Sequence, residues 1–174
     1  MNVLVAYGSH LGSTAAIAER VGAILRDAGL TVSVQPAGGA GPVEDYGAFI
    51  VAGGTYAGHW HPDAVAFVRR HAERLATCPT WFFSSGPLGA TGGAADPHDP
   101  VEMAELASLV HARSHAIFAG AHDRSAVESS ELGRIEKFVA KRFIPDGDWR
   151  DWNAIEAWAR AIAHELAPAS INAL

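Results

Sequence analysis

Two stretches of this chain are apolar at every position rather than at every second one: Val3-Leu4-Val5-Ala6 and Ala48-Phe49-Ile50-Val51-Ala52. A strand with one face in water alternates apolar and polar side chains. A strand without alternation must be covered on both faces, as in a parallel sheet with helices above and below. The intervening segments supply those helices. One begins near Ser13 or Thr14, with Ile17, Val21, Ile24, Leu25 and Ala28 on one face and Gly29 placed for a left-handed cap. Pro62 opens a second, with Val65, Val68, Ala72 and Leu75 as its inner stripe. Asp99 can cap a third, with Pro100 in its first turn and Glu102 reaching back. Another runs from Leu132 to Phe143. The last starts at Asp151 with the stripe Ile155, Trp158, Ala159, Ile162, Ala163 and Leu166. Thr31-Val32-Ser33-Val34 alternates and belongs at a sheet edge, while Thr80–Phe83 and Ala116–Ala119 complete five strands.

Strands and helices alternate through residues 1–174 with no linker, which predicts a single α/β domain. The expected architecture is a three-layer sandwich around a five-stranded parallel sheet of order 2-1-3-4-5. In such a sheet ligands bind beyond the carboxyl ends of the strands, where the winding reverses. The loops after strands one, three and four are therefore the candidate site.

Composition removes several function classes. The net charge is −6 and no Lys/Arg tract exists, which argues against nucleic acid as a partner. Cys78 is the single cysteine, so no intrachain disulfide or cysteine-based metal cluster forms, and a reducing cytoplasm is the expected location. No apolar run is long enough to span a bilayer. The first residues, Met1 to Ala6, lack a basic region and read as a strand rather than a signal peptide.

The first loop reads Ser9-His10-Leu11-Gly12-Ser13-Thr14. Backbone N–H groups at a helix start attract an anion, and Ser9, Ser13 and Thr14 add hydroxyls. A nucleotide-triphosphate loop needs a Lys that is absent here. A dinucleotide loop needs three spaced glycines and an acid after the second strand, where Gln35-Pro36 stand. What remains is a seat for one terminal phosphate held by neutral donors, set against the plainer reading of a capped strand-to-helix turn. The second loop, Gly53-Gly54-Thr55-Tyr56-Ala57-Gly58-His59-Trp60-His61, offers Tyr56 and Trp60 as faces for a planar ligand. Its His59 and His61 could move protons or bind a metal, but no third ligand stands out. The plainer reading, loop structure with an imidazole bonded to backbone, is the stronger one. The third loop begins Ser84-Ser85-Gly86-Pro87-Leu88.

The first loop resembles that of the flavodoxins, whose pattern is Ser/Thr-x-Thr-Gly-x-Thr, with Leu11 here in place of a Thr. The resemblance implies a flavodoxin-like fold and FMN as cofactor. It implies a phosphate on Ser9, His10, Leu11, Gly12, Ser13 and Thr14. The flavin ring would lie between Thr55, Tyr56, Ala57, Gly58 and Trp60 on one side and Ser84, Ser85, Gly86, Pro87 and Leu88 on the other. Gly58-His59-Trp60-His61, the helix Phe67-Val68-Arg69-Arg70-His71 and the pair Asp151-Trp152 also resemble the menaquinone-dependent protoporphyrinogen dehydrogenases. That resemblance implies an oxidoreductase that passes electrons from a small reduced substrate to a quinone, with His59 and His61 as candidate catalytic residues. A flavodoxin acting as electron carrier with a redox partner protein is the alternative, and a flavin-free interaction module a further one. Arg134, Lys137, Lys141 and Arg142 beside Ile135, Phe138, Val139 and Phe143 form a basic amphipathic stretch. Such a helix can touch the inner face of a membrane. A sheet-packing helix with a solvated basic face is the stronger reading.

Overall fold

The structure, a computed structural model, describes residues 1–86, 99–123, 127 and 146–167. Five parallel strands form its centre: β1 (Asn2–Gly8), β2 (Thr31–Pro36), β3 (Ala48–Tyr56), β5 (Thr80–Gly86) and β6 (Ser114–Ala119). Their order is β2-β1-β3-β5-β6, with the short β4 (His59–Trp60) folded antiparallel onto β3. Counting the five parallel strands alone, this is the expected order 2-1-3-4-5. Among the described residues β2 pairs only with β1, which puts the alternating segment at the edge.

Helices α1 (Ser13–Asp27) and α5 (Trp152–Leu166) cover one face of the sheet. Helices α2 (Pro62–Arg70), α3 (Ala72–Ala76) and α4 (Met103–Val110) cover the other. Successive strand residues divide between the two cores. Val3, Val5, Ile50, Trp81 and Phe83 pack with α1 and α5, while Leu4, Phe49, Val51 and Phe82 pack with α2 and α4. Each such side chain taken from water contributes about 1.5–3 kcal/mol, which is why the uniform apolar runs force a three-layer arrangement.

Gly29, at φ +87°, ends α1 in a complete left-handed cap: the Leu30 N–H donates to the Leu25 carbonyl and the Gly29 N–H to that of Arg26. Ala28, expected in the inner stripe, is exposed because the helix has already ended there. The second expected helix is interrupted at His71; of its predicted stripe Val68 and Leu75 are buried and Val65 and Ala72 are partly buried against the same core, with Ala64 and Phe67 as further buried positions. Asp99 and Glu102 do not cap α4: the helix starts at Met103 without a side-chain cap, because both carboxylates are recruited by histidines elsewhere. Asp151 does cap α5, accepting the Ala154 N–H at 3.0 Å. Sequence patterning gave no sign of β7 (Ala121–His122) and β8 (Gly147–Asp148), a two-stranded antiparallel ribbon beyond β6. The predicted helix from Leu132 to Phe143, with its basic face, lies outside the described residues, as do Pro87 and Leu88. Among the described residues no helix is long and apolar enough to cross a membrane.

Candidate functional site

Parallel register brings the three loops to one end of the sheet. Gly8, Gly53 and Ser84 lie side by side on β1, β3 and β5. The first loop turns at Gly12, whose φ of +83° suits glycine, and enters α1. The Gly12 N–H donates to Ser9 Oγ at 3.1 Å, closing a small turn. Thr14, 1% exposed, shares a 2.8 Å hydrogen bond with Ser85 Oγ, tying the first loop to the third. Ser13 Oγ accepts the Ala121 N–H at 2.8 Å. At the start of a 15-residue helix, the N–H groups of Ser13 and Thr14 have no carbonyl within the helix to receive them. The donor set therefore suits a phosphate, as the sequence implies.

The second loop takes a different course from the expected ligand-facing one. Ala57 (φ +49°) and Gly58 (φ +83°) form a two-residue hairpin turn, which returns the chain along β3 as β4. This buries Trp60 to 2% exposure against Phe82, with ring centroids 5.4 Å apart. A Cβ on Gly53 would lie 2.5 Å from the Trp60 indole nitrogen, so that glycine makes room for the chain's own ring. Trp60 is thus a core residue here, not the free planar face predicted. Tyr56, by contrast, is half-buried and lies against the first loop. Its hydroxyl accepts the His10 N–H at 3.1 Å, and its ring lies 4.8 Å from that of His10, beside Gly54. Burial raises the Tyr56 phenol above its ordinary pKa, against the pull of the His10 and Leu11 N–H groups.

His61 caps α2: its Nδ1 accepts the Asp63 N–H at 3.2 Å. Burial and the neighbouring His10 lower its pKa, opposed by Asp63. Its Nε2 is buried without a hydrogen-bond partner. His59 is exposed and bonds through Nδ1 to Glu102 Oε1 at 2.7 Å, while the other oxygen of Glu102 accepts the Trp60 N–H at 3.1 Å. Both histidines are thus engaged in fixing the loop, and among the described residues no group of side chains is arranged to hold a metal.

A further constellation escaped sequence reasoning. Ser84 Oγ lies 2.7 Å from His115 Nε2, and His115 Nδ1 lies 2.9 Å from Asp99 Oδ1. The order is that of nucleophile, base and orienting acid. Ser84, however, is 1% exposed within a strand paired on both sides, so its hydroxyl is not presented to a substrate. The row instead ties β5 and β6 to the segment before α4. Burial lowers the His115 pKa and Asp99 partly restores it. No local motif announces this row, because its members lie 16 and 31 residues apart.

No curated protein matches the sequence. Among solved structures, a flavodoxin variant from Pseudomonas aeruginosa superposes with a TM-score of 0.58 at 17% identity, over 95% of this chain and 99% of that one. A flavodoxin from Streptococcus pneumonia gives 0.59 at 17% identity, over 95% and 100%. The rubredoxin oxygen:oxidoreductase of the anaerobe Desulfovibrio gigas gives 0.58 at 17% identity over 96% of this chain, which spans only 37% of that protein. At these identities the likeness speaks for the fold, and the strand order agrees with it. The sequence of the flavodoxin domain family matches residues 4–141, from the first strand through the loops just described, and the chain belongs to that family.

Proposed function

We propose that the chain binds one FMN and uses it for redox chemistry. The observation that carries this reading is the meeting of three loops at one end of the sheet, joined by the Thr14–Ser85 hydrogen bond beside the start of α1. In this reading Ser9, Gly12, Ser13 and Thr14 hold the phosphate, and Gly86 at the end of β5 borders the ring, with Pro87 and Leu88 next in sequence; Ser84 and Ser85 are buried behind it, Ser84 on His115 and Ser85 on Thr14. Tyr56 replaces Trp60 as the aromatic candidate beside the flavin. When bound, the flavin supplies the capacity to accept a hydride or single electrons, and the protein supplies position and electrostatics. FMN is preferred over FAD because Gln35-Pro36 offer no carboxylate for a second ribose. Thr14→Val removes a hydroxyl with little change of shape. The lost hydrogen bond to a charged group should weaken FMN binding by about 1–3 kcal/mol. Unchanged affinity in a titration would remove Thr14 from the site.

Within that class, the reading adopted is an oxidoreductase passing electrons from a small reduced substrate, of protoporphyrinogen type, to a quinone. Asp99 and Glu102, the acids that follow the third loop, are each tied to a histidine. They do not form the unpaired acidic surface that docking of a redox protein favours. The electron carrier is the second reading, and the named neighbours include both a flavodoxin and an oxidoreductase. Stopped-flow mixing of the chemically reduced, FMN-loaded protein with a menaquinone analogue decides between them. Rapid reoxidation supports the enzyme. Reoxidation only by a protein acceptor supports the carrier.

A further inference from the structure

A cavity of about 450 Å³ opens between the start of α1 and the β7–β8 ribbon, on the side of the first loop away from β2. Gly12, Ser13, His122, Asp123, Asp148 and Arg150 supply its polar lining. Its volume falls in the range of small-molecule sites. Two features mark it as more than a surface hollow. His122 has a side chain only 2% exposed, yet neither ring nitrogen has a hydrogen-bond partner, and its nearest acid, Asp146, stands 3.7 Å from Nδ1. A buried imidazole without hydrogen-bond partners is costly, and a polar group bound in the cavity would satisfy it. Arg150 is held in advance: its Nε donates to Asp148 Oδ1 at 2.8 Å, and its guanidinium sits 4.7 Å from the centre of the Trp152 ring. The pair with Asp148 uses two of its five N–H donors, and a fixed guanidinium loses little entropy on binding.

The opposite side of the loop is already filled by the chain. The Tyr56 hydroxyl takes the His10 N–H, and its ring packs on His10. A ligand phosphate is therefore best received where Gly12 and Ser13 border the cavity. The lining also decides what accompanies that phosphate. A bare anion would meet the carboxylates of Asp123 and Asp148, whereas hydroxyl groups would donate to them.

We propose that this cavity binds the phosphate end of a phosphorylated polyol. The phosphate sits on the start of α1, Arg150 and His122, and the hydroxyls lie on Asp148 and Asp123. The polyol phosphate has two sources: the ribityl phosphate arm of FMN, which rests on the FMN reading above, or a free sugar phosphate, which does not.

The test is calorimetric titration of the full chain, freed of flavin, with FMN, riboflavin and ribose 5-phosphate. The proteins are the wild type, Arg150→Gln, Arg150→Lys and His122→Gln, each checked for retained fold by circular dichroism. The proposal expects Arg150→Gln and His122→Gln to lower FMN affinity at least about tenfold, a loss of about 1.4 kcal/mol, and to leave riboflavin unchanged. Arg150→Lys should recover part of the loss. Perturbation of the His122 ring ¹⁵N resonances by FMN or ribose 5-phosphate supports the same placement. If FMN binds the wild type and both polar variants alike, the cavity proposal falls and the FMN reading stands. If ribose 5-phosphate binds through Arg150 while FMN does not bind, the cavity proposal stands and the FMN reading falls. Failure of both ligands to bind the wild type overturns both.

Discussion

Gly53→Ala isolates the claim that the second loop is built around a buried tryptophan. Gly53 lies in the central strand β3, between Gly8 of β1 and Ser84 of β5, so its backbone cannot shift without disturbing two ladders. The added Cβ would stand 2.5 Å from Trp60 Nε1 and 2.7 Å from two indole carbons, where ordinary contact begins at 3.4 Å. Relief requires the indole to retreat by about 1 Å into the contact it makes with Phe82, 5.4 Å away centroid to centroid. Overpacking of this kind costs about 1–3 kcal/mol. Urea denaturation followed by far-ultraviolet circular dichroism measures the loss. The decisive comparison is a double-mutant cycle with Trp60→Leu, which removes the obstructing ring. The penalty for Gly53→Ala should shrink by at least about 1 kcal/mol in that background. Strict additivity would refute the packing argument and restore Trp60 as a candidate for the ligand face.

Other substitutions probe the same loops. Ala57→Asn places a residue tolerant of left-handed backbone at φ +49° and should raise stability by about 1 kcal/mol, read from the urea midpoint. Asp99→Asn removes the charge that holds the His115 pKa up against its burial, so the histidine should titrate at lower pH by NMR; no shift would detach Asp99 from the row. Stability should fall as the solution is acidified from about pH 7 to about pH 5. Burial lowers the pKa of His61 and His71 as well as His115, so the unfolded chain binds more protons throughout that window. A flat or rising urea midpoint toward acid would contradict those environments.

The sheet was readable from the sequence because its cause is local. A run such as Ala48-Phe49-Ile50-Val51-Ala52 has one way to hide every side chain, and Gly29 follows the last apolar turn of α1 where a left-handed cap needs it. Parallel order then places the three loops together without further information. What escaped was set by partners distant in the chain. Asp99 and Glu102 carry the local grammar of a helix start, but His115 and His59 compete for them and win. Trp60 looks like a ligand-facing aromatic until the Ala57–Gly58 turn folds it onto Phe82, and an alanine at the first turn position disguises that hairpin. Arg150 and His122 reach the start of α1 through the β7–β8 ribbon, whose strands span two residues each and leave no periodic signal.

Equilibrium dialysis of the purified full chain against FMN, with the visible spectrum recorded on the protein side, tests the central claim most directly. The account predicts one FMN retained per chain, with the flavin absorption bands perturbed from those of free FMN, and markedly weaker retention of riboflavin, which lacks the phosphate. FMN that equilibrates freely across the membrane, leaving a colourless protein, would contradict it.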